Sequence, residues 1–373
     1  MKKKHGLLSL FLSILLLFSL AVPAAATEIN NSTPYIDDEV YIFPIQPGSA
    51  EWLSFTSKQE KLDVCQIPEK KLSVMTTDAL LETVLNYPLI HDYLAFNTLN
   101  EALETMSSDF NGLRALLARK DFTGTLLNEY SKANVMTSYQ LDLQDCTEMS
   151  KESIDQFFLT QTLEFLVSCD QMENGAYSVD EQKLFEKELN EKEASRSNSG
   201  LYSDFSDIYQ EYQSEKADLC SVKLMAGESY STGYVYTPNG TTVTTLLNRS
   251  PEYTQSEILA INNSVANSYP NATFYSNASV KYNCHSYAWY QQSANIHWIN
   301  YPSSYMTDGS YTRYLGTPSV GMKAYYYNGD HSGVVANVSN GTIYIRSKWG
   351  PAGVYQHYLN DCPYTPGTYF YTR

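Results

Sequence analysis

The stretch Lys281-Tyr282-Asn283-Cys284-His285-Ser286-Tyr287-Ala288-Trp289-Tyr290 reads as a strand or loop end feeding a helix, with a cysteine at the join. Unpaired N–H groups and the positive dipole end of a first helical turn favour thiolate over thiol, so a cysteine placed there is primed as a nucleophile. Downstream, Gly329-Asp330-His331-Ser332-Gly333-Val334-Val335 sets a histidine at the head of a short apolar strand. Cys284 as nucleophile and His331 as base are therefore the pair to look for. Just upstream, Thr254 is a candidate N-cap for a helix from Gln255 to Ser268, and Tyr230 to Thr245 alternates as a hairpin turning at Pro238-Asn239-Gly240. Beyond the cysteine, strands are expected at Met322 to Tyr327, Ser332 to Val338, Thr342 to Ser347 and Thr368 to Tyr371. A cysteine-bearing helix followed by several antiparallel strands is an α+β layout.

The half of the chain before this region has a different character. From Thr27 to Cys220 there are 14 Lys and Arg against 35 Asp and Glu; from Ser221 to Arg373 the counts are 8 and 6. The acidity thus belongs to one half, and it argues against nucleic acid as a partner because it repels phosphate. The second half holds 22 of the 32 tyrosines, so composition and charge divide the chain at the same place. Residues 27–69 carry Pro34, Pro44, Pro47 and Pro68 without a sustained period and are expected to run as an extended lead-in. Residues 70–215 show amphipathic helical periods and form an acidic helical domain, with Thr76 or Thr77 capping its first helix. Ala194 to Asp207 reads as a linker, and residues 221–373 form the domain built around Cys284. His91, flanked by apolar residues, is expected to be a core or boundary histidine with one hydrogen bond.

Lys2, Lys3 and Lys4, an apolar run from Leu7 to Val22 and Ala24-Ala25-Ala26 have the layout of a secretory signal peptide spanning residues 1–26. The mature protein is accordingly expected outside the cell, secreted or held at the surface, with no stable membrane insertion after cleavage. Export permits disulfides among Cys65, Cys146, Cys169, Cys220, Cys284 and Cys362. Cys284 is open to three readings: a catalytic thiol, a buried packing cysteine, or a bridge to Cys362 or another cysteine. No CxxC spacing suggests a metal, and no cofactor is implied.

The run Asn283-Cys284-His285-Ser286-Tyr287-Ala288-Trp289, followed by His331-Ser332-Gly333-Val334-Val335, resembles the papain-like cysteine hydrolases of bacterial cell walls, the NlpC/P60 and CHAP group. Together with Ser347-Lys348-Trp349-Gly350 and Tyr355-x-His357, it is also similar to a set found in secreted Gram-positive proteins. The resemblance implies a papain-like second domain that cleaves an amide bond in a peptide or cell-wall polymer, with Cys284 attacking the carbonyl and His331 moving the proton. It places the group that orients the imidazole near Ser347, where the family usually has His, Asn, Gln, Asp or Glu, so His357 is the other candidate. It further implies the Cys284 N–H as oxyanion donor with Tyr282 assisting, and Tyr282, Asn283, Tyr287 and Trp349 as substrate contacts. The Tyr-rich half also fits a second class of function, a non-catalytic module gripping glycan or peptide through aromatic faces.

Overall fold

The computed structural model describes residues 36–133, 151–174, 177–199, 229–250 and 252–373. The expected signal segment, Cys146, Cys220 and most of the expected linker lie outside the described residues. The stretch expected to run extended instead contains two short helices, α1 (Ala50–Ser54) and α2 (Lys58–Val64), and a third, α3 (Glu69–Leu72), starts at its end. The reason is local: Ser57 and Glu60 form a reciprocal capping box at the head of α2, and Ser49 caps α1 by accepting from the Trp52 N–H. Trp52 is buried and donates its indole N–H to the Ser268 carbonyl, so the lead-in is tied to the second half of the chain.

Next come α4 (Thr77–Leu85, capped by Thr76), a 3-10 turn (Ile90–Ala95), α5 (Leu99–Asp109), α6 (Asn111–Leu117), α7 (Phe122–Lys132), α8 (Lys151–Asn174) and α9 (Val179–Ser199). The last of these carries helix into the first residues of the expected linker. Their apolar faces meet in one core that continues from Phe43 through the helices to Ala324, Tyr326, Val335, Ile345, Trp349 and Tyr364 of the second half. His91 behaves as expected of a boundary histidine, with Nδ1 at 2.8 Å from Ser264 Oγ and its ring stacked on Phe158.

The second half opens with the hairpin β1 (Ser229–Tyr236) and β2 (Thr242–Ser250), whose turn places Gly240 at φ +86°. Thr254 and Glu257 form the capping box of the helix Gln255–Ser268. The remaining strands are β3 (Thr273–Ser276), β4 (His297–Trp298), β5 (Thr312–Tyr314), β6 (Lys323–Tyr326), β7 (His331–Ser339), β8 (Thr342–Lys348), β9 (Val354–Tyr358) and β10 (Thr368–Thr372). They form a three-stranded sheet, β1-β2-β4, and a seven-stranded antiparallel sheet, β3-β9-β8-β7-β6-β10-β5. The protein is α+β, with helices concentrated in the first half and sheets in the second. Among the described residues no helix is long and apolar enough to cross a membrane.

Successive strand residues point to opposite faces, and in the seven-stranded sheet this alternation sorts the candidate residues. Tyr326, His331, Val335 and Ile345 sit on the face turned to the helical core. Ser332 and Val334 sit on the other, where Val334 packs with Ala288, Trp289, Val235 and Val243. The cysteine-bearing segment is thereby held between the outer face of the large sheet and the β1–β2 hairpin.

Candidate active site

Asn283 makes the local structure at Cys284. Its backbone carbonyl accepts from Tyr287 N (2.9 Å) and its Oδ1 accepts from Ser286 N (3.1 Å), so it caps the helical turn that Cys284 begins. The same Oδ1 accepts from Ile299 N (3.2 Å), and Nδ2 donates to Ile299 O (2.8 Å), which pins the turn to the chain after β4. After His285 the turn widens into a π-helical segment, Ser286–Tyr290, closed by Gln291 N donating to Ser286 O at 3.0 Å. The expected helix is therefore one short, tightly anchored element.

Cys284 is a free thiol, as are Cys65 and Cys362, so the alternative of a bridge from Cys284 to Cys362 is set aside. Asn97, from the loop that leads into α5, donates Nδ2–H to the Cys284 sulfur at 3.3 Å and to the Asp330 carbonyl at 3.3 Å. Its Oδ1 accepts from Asn283 Nδ2 at 3.1 Å and lies 3.6 Å from the sulfur. What delivers this amide is the turn after β8. Gly350, at φ +44°, packs so tightly that an added Cβ would lie 2.6 Å from Phe96 O and 2.7 Å from the Ala95 carbonyl carbon. Tyr364 Oη donates to Ala95 O (2.5 Å) and Ala352 N to Leu94 O (3.4 Å).

The imidazole beside the sulfur is that of His285. Its Nδ1 lies 2.9 Å from Ser332 Oγ, which also accepts from Trp289 Nε1 at 2.8 Å. This turns Nε2 toward Asp330 Oδ1 at 3.6 Å, and Asp330 Oδ1 in turn accepts from Tyr325 Oη at 2.7 Å. Burial alone would lower the His285 pKa; the charge and hydrogen bonding of Cys284 and Asp330 overcome it and push it up to about 10. The ring therefore carries its proton at neutral pH. Asp330, conversely, is held below its ordinary value against the effect of burial by its hydrogen bond to His285. Solvent meets the group at Asp330, whose side chain is 36% exposed, whereas Cys284 is 1% exposed.

The other anticipated residues are placed differently. His331 heads β7 as expected, but its ring stacks on Tyr364 at 3.5 Å between centroids, and neither ring nitrogen has a hydrogen-bond partner. Burial, with the nearby His357 and His285, drives its pKa well below the ordinary value. Ser347 and His357 are brought together, Oγ to Nε2 at 3.0 Å, with Trp349 Nε1 donating to Ser347 Oγ at 3.1 Å. His357 Nδ1 also lies 2.8 Å from Tyr358 O, and burial lowers its pKa to about 4. These three residues share the core face, while Ser332, one position after His331, faces the cysteine turn. Tyr282, Asn283, Tyr287 and Trp349, anticipated as substrate contacts, are all buried, Trp349 on the core face with Ser347 and His357. Of the residues missed, Ser332 was reachable from strand alternation and Asp330 from its place beside His331. Asn97, 187 positions from Cys284, carried no local signal.

Among the described residues no group of three or more His, Cys, Asp or Glu is placed to hold a metal ion. Comparison with protein-family models, with curated proteins and with solved structures returns no match.

Proposed function

We propose that this chain is an exported thiol-dependent hydrolase that cleaves an amide bond, with cell-wall peptides as the substrate class. The observation that supports it best is the grouping of the Cys284 sulfur, a buried imidazole that Cys284 and Asp330 keep protonated, and an amide donor 3.3 Å from the sulfur. In this reading the sulfur attacks the substrate carbonyl and the Asn97 amide donates to the developing oxyanion. His285, rather than His331, hands its proton to the leaving amine. Ser332 and Asp330 hold the ring in the required orientation. Water then releases the acyl group from sulfur, with His285 as the base.

The test is a labelling map followed by turnover. Cys65 and Cys362 are buried thiols whose pKa burial pushes up to about 12, so they are poor nucleophiles near neutrality. Iodoacetamide should therefore modify Cys284 first, and Cys284→Ala should abolish release of amine from wall peptides. Uniformly slow labelling, or full turnover by Cys284→Ala, would end the mechanism. It would leave the second reading, a non-catalytic grip on glycan or peptide, which the exposed rings of Tyr234, Tyr236 and Tyr301 favour.

A further inference from the structure

Among the described residues two lysines, Lys61 and Lys348, are wholly enclosed at 0% exposure, and they are not treated alike. Lys348 Nζ donates to the carbonyls of Ser279 (2.9 Å), Gly350 (2.6 Å) and Ala352, so each ammonium proton has an acceptor. Lys61, on α2 and fully buried, has Asp361 Oδ1 and the face of Tyr269, 4.6 Å from the ring centroid. Asp361 is equally enclosed, and its Oδ2 has no hydrogen-bond partner. Kept as an ion pair, this contact strands ammonium protons and a carboxylate oxygen away from water, the arrangement in which a buried salt bridge is least favourable. As an amide the same two side chains would present one N–H and one carbonyl.

We propose that Lys61 and Asp361 condense into an intramolecular isopeptide bond. Proton transfer within the contact gives a neutral amine and a carboxylic acid. Nζ then attacks Cγ of Asp361, forming the C–N bond; one carboxyl C–O bond breaks, and that oxygen leaves as water with one proton from the nitrogen and one from the acid. Burial favours the neutral acid at Asp361, raising its pKa. Asp92 lies behind the Tyr269 ring that Lys61 covers: it accepts from Tyr269 Oη at 2.6 Å, and burial, against the opposing charges of Lys58 and Lys61, pushes its pKa up to about 6. The bond would join α2 to the segment after β9, positions 300 residues apart.

The test is the intact mass of the denatured full chain, referenced to its own determined N-terminus. The expected result is a mass lower by one water than the sequence requires, a branched tryptic peptide joining the segments of Lys61 and Asp361, and return to the full mass in Lys61→Arg. That variant keeps the charge and blocks condensation. An unshifted wild-type mass overturns the proposal whatever the variant does, and so does a loss of water that persists in Lys61→Arg.

Discussion

The two faces of the large sheet each carry a buried histidine with a serine partner, and the two are in opposite protonation states. On the outer face, His285 sits on Ser332 with the charges of Cys284 and Asp330 beside it and is pushed up to about 10. On the core face, His357 sits on Ser347 and Trp349 with no carboxylate among its hydrogen-bond partners, and burial lowers it to about 4. Residue type and depth are nearly the same. With burial and a serine common to both, the difference lies in the neighbours: Cys284 and Asp330 beside His285 turn its shift upward, and His357 has no such company.

The strongest way to break that comparison is to remove the charged ring. His285→Ala should slow amide hydrolysis roughly 10²- to 10⁴-fold, as loss of a general acid does, measured as amine released from wall peptides. An unchanged rate would make His285 structural. Next is the pH dependence of stability, which the two faces should drive in opposite directions. His285, raised above its ordinary 6.5, contributes stability that is full below that value and is lost as pH climbs from there through about 10. His357 and His91, both lowered to about 4, contribute stability that is present above 6.5 and is lost as pH falls from there to about 4. Urea midpoints should therefore decline on both sides of neutrality, with His285→Gln flattening the alkaline limb and His357→Gln the acid one.

A smaller effect is expected at the serine. Ser332→Ala strands the Trp289 N–H and the His285 ring and should destabilise by about 1–3 kcal/mol, read from denaturant unfolding. The smallest concerns His331: with both nitrogens unpartnered and the ring stacked on Tyr364, His331→Phe should change stability by about 1.5 kcal/mol or less. Its amide hydrolysis should be intact. A collapse of turnover in a folded His331→Phe would restore His331 as the base and sharpen the question of how it reaches the sulfur.

Much of the frame was legible in the residues. The Pro238-Asn239-Gly240 turn, the Thr254 cap and the start of β7 at His331 are local signals, and each is where local chemistry put it. The lead-in departs from the extended run its prolines suggest because the Ser57 and Glu60 capping pair starts a helix there. The site was harder for two reasons. Whether His331 or Ser332 meets the cysteine turn depends on which sheet face the turn packs against, and a change of face exchanges the two. Asn97 reaches the sulfur only through tertiary contacts at Leu94, Ala95 and Gly350, none of which leaves a period or a motif.

Gly350 has a consequence for the order in which the molecule comes to life. The backbone it admits belongs to residues made early, the thiol they reach is made much later, and the glycine later still. A chain released from the ribosome before Gly350, or one bearing alanine there, would carry Cys284 without its amide neighbour. The thiol thus acquires its full setting only in a finished, docked chain.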